Sequence, residues 1–249
     1  MLERTTHRVV VRRRLPSPFA AGRIYACSEG GLRYLRPRMT GVDPALLRLA
    51  AEVVGPGDTV WDIGANLGLF SIAAAVAAGP AGHVLAVEPD TVLVRLLRRS
   101  ATANRDHARL DVLPVAVADH VSIARFHIAR RNRSTSHLDG FGTSQTGGVR
   151  ATDLVPTVTL DWLAARFPAP GVIKIDVEQA EVAVLAGGSR LLQTLPAVIC
   201  EVAGHSAAAV RDALTGYGYT LYDGDQPSGQ RVPTVDAPPN TLAVSGSRG

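Results

Sequence analysis

The 249-residue chain is almost without lysine: Lys174 stands alone against 25 arginines. Where arginine serves nearly everywhere, a single lysine inside the apolar run Val172-Ile173-Lys174-Ile175 points to a place that needs a compact ammonium. Cysteine is also scarce. Cys27 and Cys200 lie far apart with no C-x-x-C spacing, and they read as free thiols in a reducing cytoplasm. No apolar run reaches the 18 residues of a membrane span. The basic stretch Met1 to Arg14 lacks the apolar segment and cleavage site of a secretory signal, so none is expected. Aromatic residues make up only 5% of the chain, leaving few rings to stack on bases. The net charge of +4 is modest for a pI near 9.5. Together these argue against nucleic-acid binding despite the arginine clusters 12–14, 98–99 and 130–131.

What the chain does contain is an alternation of strand and helix. Residues 1–43 read as an irregular or β-rich lead-in that caps a substrate. Helical periodicity covers Pro44 to Val54 and stops at Gly55-Pro56-Gly57. Strand Thr59 to Ile63, helix Leu67 to Ala78 and strand His83 to Glu88 follow, with Pro89 in the first turn of a helix running to about Asn104. Leu110 to Val117 and Ser122 to Ala129 read as strands, and 130–151 as a long polar loop over the site. Thr157 to Leu160 is a short strand, and Asp161 caps a helix to Phe167. Strand 172–176, helix 178–193, strand 197–202, helix 206–216 and two strands near 217–223 and 240–245 complete the chain. This order predicts an α/β fold in one domain, 1–249, with a largely parallel sheet and helices on both faces. A homodimer stays open.

The turn Asp62-Ile-Gly64-Ala65-Asn66-Leu-Gly68 joins the first core strand to its helix. Gly64 permits a tight turn, Gly68 close packing, and the helix presents free N–H groups. The spacing is neither a dinucleotide loop nor a P-loop. An acid directly before it suits a ligand's ammonium, and Glu88, ending the next strand, suits ribose hydroxyls. That pairing fits S-adenosylmethionine better than NAD or ATP.

A second group of acids lies where Lys174's strand ends. Asp176 is the leading catalytic candidate at the carboxyl edge, where open α/β sheets bind ligands. His205 is a second candidate base. His137 in the polar loop, Glu178 and Glu201 are candidate substrate contacts. Lys174 is expected to pair with Glu201 or another strand carboxylate. Asp176, Glu201 and Glu178 offer hard oxygen ligands for Mg²⁺. After the next strand the chain reads Glu201-Val-Ala-Gly-His205, without an Asp-Asn pair to complete such a site, and no metal is assigned.

These segments together resemble the FkbM family of class I S-adenosylmethionine-dependent methyltransferases. The resemblance rests on VWDIGANLGLFSIAAA, VLAVEPD, NRDHARLDVLPVAVAD, VPTVTLDWL, IKIDVEQAEVAVLAGG and PPNTLAV, from about residue 50 onward. It implies a Rossmann-like, seven-stranded, mostly parallel sheet whose last strand is antiparallel. It also implies that Asp62, Gly64, Ala65, Asn66, Gly68 and Glu88 hold S-adenosylmethionine, with Ala116 to Asp119 near its adenine. The implied reaction is O-methylation of a small molecule, a sugar or secondary metabolite, by a cytoplasmic enzyme. An RNA methyltransferase and a non-catalytic S-adenosylmethionine-binding protein are the alternatives. One residue leaves the family pattern: Gln179 stands where the family usually has glycine, and reads either as a helix cap or as an amide projecting into the pocket.

Overall fold

The computed structural model describes residues 9–30, 32–36, 39, 41–130, 133–142 and 148–246. Its centre is a mixed sheet built on three neighbouring parallel strands: β3 (Thr59–Ile63), β4 (His83–Val87) and β10 (Val172–Ile175). Outside β4 lies β5 (Arg109–Leu113); outside β10 lies β11 (Ala197–Glu201). The sheet closes through β14 (Asn240–Ser245), β12 (Tyr219–Asp223) and the two-residue β13 (Pro233–Thr234).

Among the described residues this sheet has eight strands, not seven, because β13 adds a short edge antiparallel to β12. The last strand is antiparallel to β11, as expected. Chain order runs outward from β3 to β5, then restarts at β10 on the other side of β3. That reversal leaves a crevice at the carboxyl ends of β3 and β10, where ligands of open α/β sheets bind.

Strand periodicity explains the two cores. Val60, Val84, Val172 and Ile199 point to one face, Trp61, Leu85, Ile173 and Val198 to the other. The first face is covered by α1 (Pro44–Val53), α2 (Leu69–Ala78) and α3 (Thr91–Ala103). It also receives Phe19 and Ile24 from the hairpin of β1 (Val11–Arg14) and β2 (Arg23–Ala26). Five of the ten residues of helix α2 are alanine, four of them buried, which lets the backbones approach closely. On the second face lie α4 (Leu160–Ala164), α5 (Glu181–Ala186), α6 (Ser189–Leu192) and α7 (Ala207–Gly216).

The structure corrects several boundaries. The stretch 110–117 divides: β5 ends at Leu113, and β6 (Ala116–Val117) joins a second sheet. That sheet, ordered β6-β9-β7-β8, also contains β7 (Ser122–Ala129), β8 (His137–Leu138) and β9 (Val149–Val158). The expected polar loop 130–151 therefore carries a strand and the start of a ten-residue strand, because its polar residues pair with β7. Residues 131–132 and 143–147 of that loop lie outside the described residues, as do Met1 to Arg8.

Pro89 precedes α3 rather than entering it; Asp90 is the N-cap, accepting from the Val92 amide at 2.9 Å. Asp161 does not cap α4. Thr159 does, through its hydroxyl and the Trp162 amide, while Asp161 accepts the amides of Arg190 and Leu191 at the start of α6. The helix expected over 178–193 is two helices, broken at Gly187-Gly188. A Cβ on Gly187 would strike the Ala118 carbonyl, and one on Gly188 would press into Leu160.

Candidate functional site

A cavity with about 900 Å³ of empty space, counting its open mouth, lies at the carboxyl ends of β3, β4, β10 and β11. Residues of the second sheet also line it. Leu93 after β4 and Val115, Ala116 and Val117 after β5 line it toward the β5 side of the sheet, and Phe126 and Leu138 of the second sheet add to this apolar lining. Asp176, Glu178 and Glu201 line it on the β10–β11 side.

The β3–α2 turn is shaped by close approach. Gly64 has φ +77° and no room for a Cβ, which would overlap the Asp176 carbonyl oxygen. The amides of Gly64 and Ala65 both donate to the Val87 carbonyl at 3.0 Å, tying the turn to β4. Asn66 has φ +52° and lines the cavity, and its buried Oδ1 has no hydrogen-bond partner. Glu88 accepts the Asn66 amide at 2.8 Å on one oxygen and the Asp90 amide at 2.9 Å on the other. Burial pushes its carboxyl up to about 7, although those two amides oppose the shift.

Beneath the cavity floor sits Lys174, buried, in the β10 register position beside Asp62 of β3. Its ammonium is 2.9 Å from Asp176 and 3.2 Å from Asp62, and donates to the Gly64 carbonyl at 2.9 Å. Burial alone would push the ammonium's pKa down; the two carboxylates hold it above the ordinary lysine range. Lys174 thus pairs with Asp62 and Asp176 rather than with Glu201.

The candidate residues separate accordingly. Gly64, Asn66, Glu88, Asp176, Glu178, Glu201 and His137 line the cavity. Asp62 lies below it, fully buried, with the Lys174 ammonium on one oxygen and the Ser71 hydroxyl 2.5 Å from the other. The ammonium that Asp62 meets is supplied by the protein itself. Ala65 packs inward against Ala86 and Leu97. Gly68, at φ +88°, starts α2 against Leu97. Asp119 is exposed and pairs with His120 at 2.6 Å, so only Ala116 and Val117 of the expected adenine stretch reach the cavity. His205 is exposed and outside the cavity, in a 3-10 turn next to Ser206.

Two cavity residues carry no recognisable sequence signal. Arg33 enters the lining from the lead-in. Arg133, nearly buried, donates to Asp90 at 2.6 Å and so fastens the 130–151 segment to the start of α3. In an arginine-rich chain neither stands out from solvated neighbours.

Gln179 neither caps a helix with its side chain nor lines the cavity. It has φ +66°, its amide donates to Glu181 at 3.0 Å, and α5 begins only at Glu181. A left-handed residue suits glycine, and an L side chain there costs about 1–2 kcal/mol. Net of glycine's greater unfolded-state entropy, Gln179→Gly is expected to stabilise the protein by about 0.5–1 kcal/mol. Urea denaturation checks this: the midpoint should rise at unchanged slope, and an unchanged or lower midpoint would show that the position bears no strain.

A family model described as the methyltransferase FkbM domain matches residues 62–221. Among curated relatives, 31-O-demethyl-FK506 methyltransferase FkbM of Streptomyces tacrolimicus is 31% identical over 210 residues, covering 72% of this chain and 78% of the relative. Hexuronic acid methyltransferase AglP of Haloferax volcanii is 28% identical over 162 residues, covering 63% of this chain and 61% of the relative. Among solved structures, P. horikoshii TYW2 in complex with MeSAdo aligns with a TM-score of 0.50 at 12% identity, over 95% of this chain and 71% of that one, a likeness of fold.

Proposed function

This chain belongs to the FkbM family of S-adenosylmethionine-dependent methyltransferases, and from that premise we propose that it O-methylates a small molecule, a sugar or secondary metabolite. The observation that carries the reading is a single cavity with two unlike sides. The apolar lining, the buried Glu88 carboxyl and the unpartnered Asn66 Oδ1 suit an adenosine. The acids on the β10–β11 side suit an acceptor hydroxyl. When bound there, S-adenosylmethionine would supply an activated methyl group.

The chain's own residues then have distinct tasks in this reading. Gly64 and Asn66 shape the turn against which the cofactor rests, and Glu88, braced by two amides, would take ribose hydroxyls. Asp176 is held still by Lys174 and orients the acceptor, where alignment alone supplies up to about 7–11 kcal/mol of barrier lowering. Glu178 and His137 would contact the acceptor. Three acids lining one side make the cavity a poor place for a polyanion, which favours a small acceptor over RNA.

We further read residues 1–249 as one methyltransferase domain whose lead-in caps the site, supported by Phe19 and Ile24 joining the core on the first face of the sheet and by Arg33 in the cavity wall. A cytoplasmic location agrees with two buried free cysteines. Among the described residues no helix is long and apolar enough to cross a membrane.

Calorimetry with S-adenosylhomocysteine tests the cofactor assignment. The protein should bind it, and Glu88→Gln should weaken binding by about 10- to 100-fold, since the amide end sets its own donors against the Asn66 or Asp90 N–H. Unchanged affinity in Glu88→Gln would remove Glu88 from the site.

A further inference from the structure

We propose that Glu201 is the general base that takes the acceptor's hydroxyl proton, with Asp176 as its positioning partner and Lys174 as the clamp on Asp176. This rests on the O-methylation reading and assigns a role that neither the family match nor the cavity outline provides.

The geometry starts from strand register. Parallel β10 and β11 pair Ile175 with Cys200, so Asp176 and Glu201 are the next residues on adjacent strands, side by side at the cavity floor. Two carboxyl groups placed side by side disfavour double ionisation, so one of them holds its proton more tightly. The Lys174 ammonium is 2.9 Å from Asp176 and also bound to Asp62 and Gly64, all deeper than Glu201. A fixed cation beside one member of a carboxyl pair favours ionising that member and leaves the proton on the other. Glu201 is therefore the member that exchanges a proton, and its side chain is exposed to the cavity.

The groups facing Glu201 agree. The Asp176 carboxylate, burial and Glu178 raise its carboxyl to about 7, against the opposing pull of Lys174. Cys200, its neighbour on β11, is a buried thiol pushed up well beyond neutrality and takes no part. Asn240, opposite on β14, is uncharged. Arg33, Arg133 and His137 line the same cavity. His205, the other histidine near this strand end, does not. In the step itself the acceptor oxygen bonds the methyl carbon, the carbon–sulfur bond breaks with its pair staying on sulfur, and the hydroxyl proton passes to Glu201. A raised carboxyl holds its proton below its pKa and becomes a base above it, so turnover should rise as pH climbs through about 7.

Two readouts test this. In protein labelled with glutamate ¹³C at Cδ and free of cofactor, Glu88, Glu178 and Glu201 should all titrate near pH 7, and the one signal lost in Glu201→Gln should be among them. That signal should move toward the ordinary range, about 4.3, in Asp176→Asn. Rates with S-adenosylmethionine and methyl α-D-glucoside or methyl α-D-glucuronide supply the second readout. There Glu201→Gln should cut kcat about 100-fold or more and flatten the pH profile, with S-adenosylhomocysteine affinity unchanged. A Glu201 signal titrating in the ordinary range overturns the proposal. So does a variant that keeps the wild-type profile and only raises KM, or an inflection that survives Glu201→Gln but is lost in His205→Ala. If neither glycoside is methylated, the carbon titration decides alone. Absence of S-adenosylhomocysteine binding in the wild type would instead mean that the cofactor reading has failed.

Discussion

Lys174→Met is expected to cost about 3–5 kcal/mol of folding free energy, the usual penalty for removing one partner of a buried ion pair. The methionine fills the space of the lysine stem but strands the Asp62 carboxylate, which has no exposure to solvent and would keep only the Ser71 hydroxyl. Lys174→Arg should not rescue. A planar fork cannot occupy a point 2.9 Å from Asp176, 2.9 Å from the Gly64 carbonyl and 3.2 Å from Asp62 without moving a strand. The diagnostic is the double variant Lys174→Met/Asp62→Asn. Deleting the stranded charge should recover a substantial part of the loss in a denaturant titration, a non-additivity that independent sites do not show. A single variant within about 0.5 kcal/mol of wild type would refute the ion-pair account.

Gly64→Ala should be comparably severe, for a steric reason. An added Cβ overlaps the Asp176 carbonyl, a backbone atom that cannot rotate away, and the residue sits at φ +77°. The left-handed conformation contributes about 1–2 kcal/mol, and overpacking against backbone about 1–3 more. Relief comes only by separating the β3–α2 turn from the end of β10, which also displaces Asn66 and Asp176. Thermal melting and S-adenosylhomocysteine calorimetry should therefore fall together, binding by about 100-fold or beyond detection. A variant with weakened binding but an intact melting temperature would show that the turn, rather than the strand junction, absorbs the change.

Sequence pattern foretold the core strands well because each carries its own signal. Thr59–Ile63 and Ser122–Ala129 are observed at the predicted residues. Features that depend on a partner were hidden. β9 leaves most of Val149 to Leu154 exposed and shows no buried period until it pairs with β7, so its first half reads as loop. Lys174 could be recognised as buried beside acids. Which acids depended on a register that places it level with Asp62, and that lies in the folded sheet rather than in either segment. Asp161 lost its expected helix because Thr159, two residues earlier, caps it first, leaving Asp161 free to cap a helix some 30 positions away. Gln179 was visible as a departure, but its meaning required the backbone angle.

The Arg133–Asp90 contact carries a consequence for energetics across the site. Asp90 caps α3 with one oxygen, takes Arg133 on the other, and gives its amide to Glu88. Ordering of the polar segment and occupancy beside Glu88 therefore draw on one shared set of bonds, and linkage makes their influence mutual. If steadying the segment around Arg133 changes the affinity for a ligand held by Glu88, that ligand must act back on the segment by the same factor and in the same direction.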